Sequence, residues 1–278
     1  MRAVRVLAGI LLLALAGCGG GASHAATSTT TSTAPRAPAR NQAVHRVVLR
    51  HGPRHAAVPI LMYHLVNAPP AGTAYPELWV PPATFRATMH KLAAAGYHGV
   101  TLDAVLDNWQ HRIALPRRPI VVSFDDGYRS EERYAMPILR SLGWPGVLNL
   151  EVKNLSVAGG ITHAEVRRLI AAGWEIDAHT LTHRDLTTLD AAAVRHEVGG
   201  SRAALRREFG VRVDGFAYPA GRYDATAEEA VRTAGFRAAV TTNPGLAHMD
   251  GDRAALPRIR VDGTESPAAV LAAVQAAR

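Results

Sequence analysis

The sequence has a single cysteine, Cys18, so no disulfide can form within one chain. It has no aspartate or glutamate before Glu77, although Arg2, Arg5, Arg36, Arg40, Arg46, Arg50 and Arg54 all precede that residue. Those seven arginines carry most of the formal charge of +8. Of 31 basic residues, 24 remain from Glu77 onward, against 23 acidic ones. The folded part is therefore nearly neutral and lacks the basic face that a nucleic-acid-binding domain needs. Nor is the apolar run at the start long. Val6 to Ala16, behind Arg2 and Arg5, is too short to span a bilayer and suits the apolar region of a secretory leader.

What is present divides into three stretches. The leader, residues 1–18, ends in Leu15-Ala16-Gly17-Cys18. This resembles the lipobox of bacterial lipoproteins, which implies lipidation of Cys18 and a membrane anchor there; the alternative is an incidental cysteine after an ordinary signal peptide. Residues 19–57 are Gly, Ala, Ser, Thr, Pro, Arg and His with almost nothing to bury, the composition of a flexible basic tether. Its arginines could rest on anionic lipid or simply be solvated. The remainder, 58–278, is long enough for one sizeable core, and the overall 48% apolar and 19% charged content is that of an ordinary globular protein.

Beyond the tether, helical stretches close on a glycine and lead into a short apolar run. Gly96, Gly143, Gly173, Gly210 and Gly235 each stand at such a joint, because glycine accepts the left-handed conformation that ends a helix. Thr162 with Glu165 reads as a capping box, and Ser266-Pro267 as an N-cap followed by proline. Strands are expected around 59–63, 100–102, 120–123, 147–150, 175–178, 216–218 and 238–241, with a further candidate at 258–261. About seven strands alternating with helices predict one α/β domain with a parallel, barrel-like sheet. Polar residues just after strands then gather on one rim, where such barrels carry their active sites.

Two polar runs lie at strand ends. Ser123-Phe124-Asp125-Asp126-Gly127 follows Pro119-Ile120-Val121-Val122, and His179-Thr180-Leu181-Thr182-His183 follows Trp174-Glu175-Ile176. Adjacent carboxylates repel unless a cation is shared, so a metal ligand beside a base satisfies both residues. A bare Asp-Asp-Gly would equally serve as a helix N-cap. Imidazoles four residues apart can meet one metal ion. His51 and His55 have the same spacing inside the tether and are read as incidental. Position after a strand, and partnership with an Asp pair that also follows one, sets His179 and His183 apart.

Together these motifs strongly resemble the first two of the polysaccharide deacetylases, the NodB-homology group also called carbohydrate esterase family 4. The resemblance runs from about Val58 to the C-terminus, with the NodB-homology core at about 118–278. It implies a distorted (β/α) barrel of fewer than eight strands. Asp125 would be the general base toward water. Asp126, His179 and His183 would hold a divalent metal ion, zinc in the first instance, with cobalt, nickel or iron as alternatives. Two motifs depart from the common pattern. Phe216-Ala217-Tyr218-Pro219-Ala220-Gly221 has Ala217 where the arginine of Arg-x-Pro-Tyr would be, and the late Leu-x-His motif is not evident. Both departures fit the subgroup resembling poly-N-acetylglucosamine deacetylases, which begins with a Met-Tyr-His segment like Met62-Tyr63-His64. In that subgroup His64 would be the general acid and Arg258 would orient Asp125, with Arg260 as second choice. A packed core histidine is the other reading of His64.

The implied activity is hydrolysis of N-acetyl groups on an extracellular polysaccharide containing N-acetylglucosamine, with release of acetate. A backbone N–H near Ala220 would stabilise the oxyanion. O-acetyl esterase activity and non-catalytic glycan binding are the alternatives. Tyr218, Trp79, Trp144 and Trp174 are candidate sugar-stacking surfaces, or else core. The expected location is the outer face of the cell membrane as a lipoprotein, otherwise secreted or periplasmic.

Overall fold

Most of the apolar runs that follow the glycine joints become staves of a parallel barrel in this computed structural model, which describes residues 54–277. The leader, Cys18 and most of the tether lie outside the described residues. In chain order the strands are β1 (Ala57–Val58), β2 (Ile60–Tyr63), β3 (His98–Val100), β4 (Pro119–Asp126), β5 (Val147–Leu150), β6 (Glu175–Ala178), β7 (Gly215–Ala217), β8 (Ala238–Pro244), β9 (Ala247–His248) and β10 (Leu256–Arg260). The helices are α1 (Pro82–Ala94), α2 (Leu102–Trp109), α3 (Met136–Ser141), α4 (His163–Ala171), α5 (Ala191–Phe209), α6 (Ala225–Ala234) and α7 (Pro267–Ala276). Ala57, at the end of the expected tether, is already paired, since β1 and β9 form a short antiparallel ladder.

Seven parallel strands close the ring in the order β2, β4, β5, β6, β7, β8, β10 and back to β2. The closure depends on β4 being long. Its first residues, Pro119 to Val121, pair with β3, and Val121 to Phe124 pair with β2 on the same edge. The expected strand at 100–102 is corrected here. The strand ends at Val100, and Thr101 caps α2 by accepting the Ala104 N–H at 3.1 Å. A threonine with a free N-terminal turn behind it favours capping over continued extension.

Period-two alternation sorts the strand side chains into two cores. Ile120, Val122 and Phe124 join the outer core between barrel and helices, whereas Val121 joins an inner core with Ile60, Val147 and Val240. Leu102, Val105, Leu106 and Trp109 of α2 belong to that inner core and plug the end of the barrel where the strands begin. The glycine joints have the expected left-handed backbone, with φ of 82° at Gly96 and 88° at Gly173. The capping box at Thr162 and the N-cap at Ser266 are both present.

A second group of charges sits where β6, β7 and β8 begin. Glu175 accepts the Asp103 N–H at 2.8 Å, and Asp177 accepts the Gly215 N–H at 2.7 Å. A side chain at 215 would strike Asp177, since a Cβ there would lie 2.2 Å from its Oδ2. Arg237 donates to Asp107 at 2.7 Å, and Arg212 pairs with Asp103 at 2.7 Å. Burial, together with the neighbouring Asp177 carboxylate, pushes Glu175 well above the usual range. Asp177 is raised to about 6, by burial first, against a hydrogen bond from Glu175. Glu175 Oε1 and Asp177 Oδ2 have no other hydrogen-bond partner, and one proton between the two carboxyls would satisfy both. Among the described residues, no helix is long and apolar enough to cross a membrane.

Candidate active site

At the opposite end, β4 delivers Asp125 and Asp126 in succession with different surroundings. Asp125 keeps the strand's inward direction and is buried. Arg258 of β10 donates to it through two nitrogens, Nη1 to Oδ1 at 2.8 Å and Nη2 to Oδ2 at 2.7 Å. Asn149 Nδ2 donates to Oδ1 at 2.7 Å. Arg258 is wholly buried and fixed on its other side by Nε–H donation to the Thr241 carbonyl at 2.8 Å. Its Nη1 also reaches the Ser123 hydroxyl at 3.2 Å. Burial by itself would raise Asp125, but the guanidinium beside it outweighs burial and holds the carboxyl well below its usual range. Of the two arginines named from the sequence, Arg258 therefore meets Asp125, and Arg260 lines the open cleft.

Asp126 leaves the strand in a left-handed conformation, φ 75°, which turns it toward the two histidines. Its Oδ1 lies 3.4 Å from Nε2 of His179 and 3.4 Å from Nε2 of His183. That oxygen is buried and has no hydrogen-bond partner. The ligand atoms of the three residues all lie within 4.8 Å of one another. His179 Nδ1–H donates to the Ala217 carbonyl at 2.7 Å, which leaves Nε2 with its lone pair directed at the group. An orphaned carboxylate oxygen facing two imidazole nitrogens fits a divalent transition ion, and the nitrogen and oxygen donor set suits zinc.

The histidine loop is fixed by a residue that the sequence did not single out. Glu197, buried on α5, accepts the N–H groups of Leu181 and Thr182 at 2.9 and 3.0 Å and the Thr182 hydroxyl at 2.6 Å. Thr180 and His183 both have left-handed backbone, φ 68° and 55°, and the His183 N–H donates to the Thr180 hydroxyl at 2.8 Å. A four-residue loop with two strained positions keeps its shape because the buried carboxylate ties its middle.

His64, just past β2, stands across from the metal-ligand group, with Nε2 4.0 Å from Asp125 Oδ2. Burial lowers its pKa, while the Asp125 and Asp126 carboxylates act in the opposite sense. The side chain keeps 15% exposure and lines the cleft, so it is not a packed core histidine. Asp125, Asp126, His179, His183, His64 and Arg258, the first-choice residues named from the sequence, thus converge on one end of the barrel.

The cleft above them has a volume of about 430 Å³. Ala220, with φ 51°, lines it; the neighbouring Gly221 N–H is taken by the Tyr218 carbonyl at 2.8 Å. Of the four aromatic candidates, Tyr218 lines the cleft and the tryptophans do not. Trp144 and Trp174 are buried against strand starts, where a Cβ at Gly99 or Gly146 would collide with the indole. Tyr218 is buried and stacked on Tyr223 at 4.8 Å, and Trp79 is half-buried. The exposed aromatic of the cleft is Tyr75, on a turn whose sequence carries no periodic signal.

Residues 112–239 match the polysaccharide deacetylase family. The protein YxkH of Bacillus subtilis (strain 168), a polysaccharide deacetylase by name, is 30% identical over 207 residues, covering 74% of this chain and 72% of that one. The fold is shared with Streptococcus pyogenes deacetylase PplD, solved in complex with acetate. The TM-score is 0.73 at 24% identity, over 78% of this chain and 98% of that chain. It is also shared with a de-N-acetylase from Aggregatibacter actinomycetemcomitans, at TM-score 0.70 and 19% identity, over 78% and 99% of the two chains.

Proposed function

The chain belongs to the polysaccharide deacetylase family, and from that premise we propose that it is a metal-dependent N-deacetylase of a polysaccharide containing N-acetylglucosamine. The observation that carries the reading is the contrast between the two adjacent carboxylates. Asp125 is fully paired by Arg258 and Asn149, whereas Asp126 offers an unpartnered oxygen to His179 and His183. A divalent ion held by Asp126, His179 and His183 would supply Lewis-acid polarisation of the acetyl carbonyl and lower the pKa of water.

The remaining chemistry falls to side chains. Asp125, kept ionised by Arg258, accepts the proton of the attacking water. The water oxygen bonds to the acetyl carbon, and the Ala220 N–H, whose neighbours at Gly221 and Arg222 are taken by the Tyr218 and Pro219 carbonyls, steadies the charge that develops on the carbonyl oxygen. His64, in its protonated form, gives a proton to the sugar nitrogen as the carbon–nitrogen bond breaks. Acetate and a free amine leave. Arg258 holds Asp125 to one orientation through two parallel hydrogen bonds, which limits the base to the water side. The de-N-acetylase name of the Aggregatibacter protein that shares the fold supports amide over ester cleavage.

The same reading includes export and a lipid anchor. Arg2 and Arg5, the Val6–Ala16 run and the lone Cys18 support it. A tether of about forty residues would let a rim-facing site reach extracellular glycan. The test is acetate release from N-acetylglucosamine oligomers. Release should stop on chelation and return with zinc or cobalt. Release only from acetyl esters would replace the amide reading with O-deacetylation, and no release from metal-loaded protein would overturn hydrolysis of these substrates.

A further inference from the structure

We infer that Tyr75 is a stacking platform for a pyranose ring next to the sugar being deacetylated, so that the site binds a polymer through a second sugar position. This rests on the deacetylase reading above. A single exposed tyrosine is ordinary on a protein surface, but three observations set this one apart.

First, Tyr75 is 69% exposed, the most exposed large apolar side chain among the described residues, and it lines the same cleft as Asp125 and His64. Second, its backbone is left-handed, φ 56°, a conformation costly for an aromatic residue. Three other non-glycine residues with positive φ, Asp126, His183 and Ala220, line this cleft too. Strain held at one exposed residue, among others held for a site, points to use of its position. Third, the turn that carries it is braced. The Leu65 N–H donates to the Leu78 carbonyl at 3.1 Å, and the Gly263 N–H donates to the Glu77 carbonyl at 2.8 Å. The loop after β10 packs so closely that a Cβ at Gly263 would lie 1.9 Å from the Trp79 carbonyl oxygen.

A rigid turn offering an exposed aromatic ring beside a cleft suits a ligand with a flat apolar face and polar edges. A pyranose has both, through its axial C–H groups and equatorial hydroxyls, and a phenol ring matches them with an apolar body and a polar tip. Because the turn is already ordered, little entropy is lost when the ring is covered.

The test compares wild type with Tyr75→Ala and Tyr75→Trp on N-acetylglucosamine oligomers of two to five sugars. In wild type, kcat/KM should rise with chain length. Tyr75→Ala should lower it about tenfold on the longer oligomers, through KM, and Tyr75→Trp should restore it. Saturation-transfer NMR of the same oligomers with chelator-treated protein reads binding without turnover. Weaker oligomer binding in Tyr75→Ala supports the platform even if wild type releases no acetate, in which case the deacetylase reading alone fails. Unchanged oligomer binding, or an undiminished chain-length effect, in Tyr75→Ala overturns the platform whatever the activity.

Discussion

Two groups of buried carboxylates stand at the two ends of the barrel; burial raises both, yet they end on opposite sides of the usual range. At the strands' C-terminal ends, Asp125 is held well below its usual range by a buried guanidinium. At the strand starts, Glu175 and Asp177 are pushed up, by burial first, and the arginines nearby pair with other carboxylates, Asp103 and Asp107. The first group opens on a cleft, where an unpartnered oxygen of Asp126 faces the ring nitrogens of His179 and His183. The second is closed by α2 and by strand backbone. A buried carboxylate is thus no sign of chemistry by itself. What marks a site is a carboxylate kept charged beside open space, with a neighbouring donor set left unsatisfied.

Substitutions at the two ends sharpen that contrast. The largest effect is expected for Asp125→Asn, which keeps the shape and removes the base. Acetate release should fall by about a thousandfold or more in kcat/KM, with the fold retained by circular dichroism. Arg258→Met leaves Asp125 buried without its counter-charge and should cost about 3 kcal/mol in urea-unfolding stability. Glu197→Ala frees the middle of the histidine loop, and competition with a chelator should show metal affinity about tenfold weaker.

The smallest effect is expected at the closed end. Glu175→Gln replaces an acid of raised pKa with its isostere, so stability near pH 4 should change by less than about 1 kcal/mol. The pH dependence carries a sign. Glu175 and Asp177 have raised folded-state values, so the folded chain binds more protons than the unfolded chain above about pH 4. Their contribution is fully present below the unfolded values and is lost as pH rises through the folded ones. Glu175→Gln removes part of that loss, so the variant should gain on wild type as pH rises from about 4 toward 8 in paired unfolding curves.

The barrel and most of the site were legible because their signals are local. Glycine joints announced the helix ends, and Asp125-Asp126 and His179-His183 each stand within a few residues of an apolar strand run. His64 and Arg258 needed the family resemblance, since a lone histidine and a lone arginine carry no spacing, and the geometry then brought both to Asp125. Glu197 and Tyr75 were invisible for different reasons. Glu197 looks like any polar residue on a helix, and its partners lie 15 and 16 residues away. Tyr75 sits on a turn whose shape is set by Leu65 and Gly263, both remote from it in sequence. Trp144 and Trp174, named from sequence as candidate stacking surfaces, follow helix-ending glycines, and that position directs their side chains into the core.

The most direct test measures acetate release from N-acetylglucosamine oligomers by Asp125→Asn and Glu175→Gln side by side, each loaded with zinc. The account predicts near-complete loss in the first and wild-type release in the second. Equal release by both, or equal loss in both, would contradict the assignment of chemistry to the open end of the barrel.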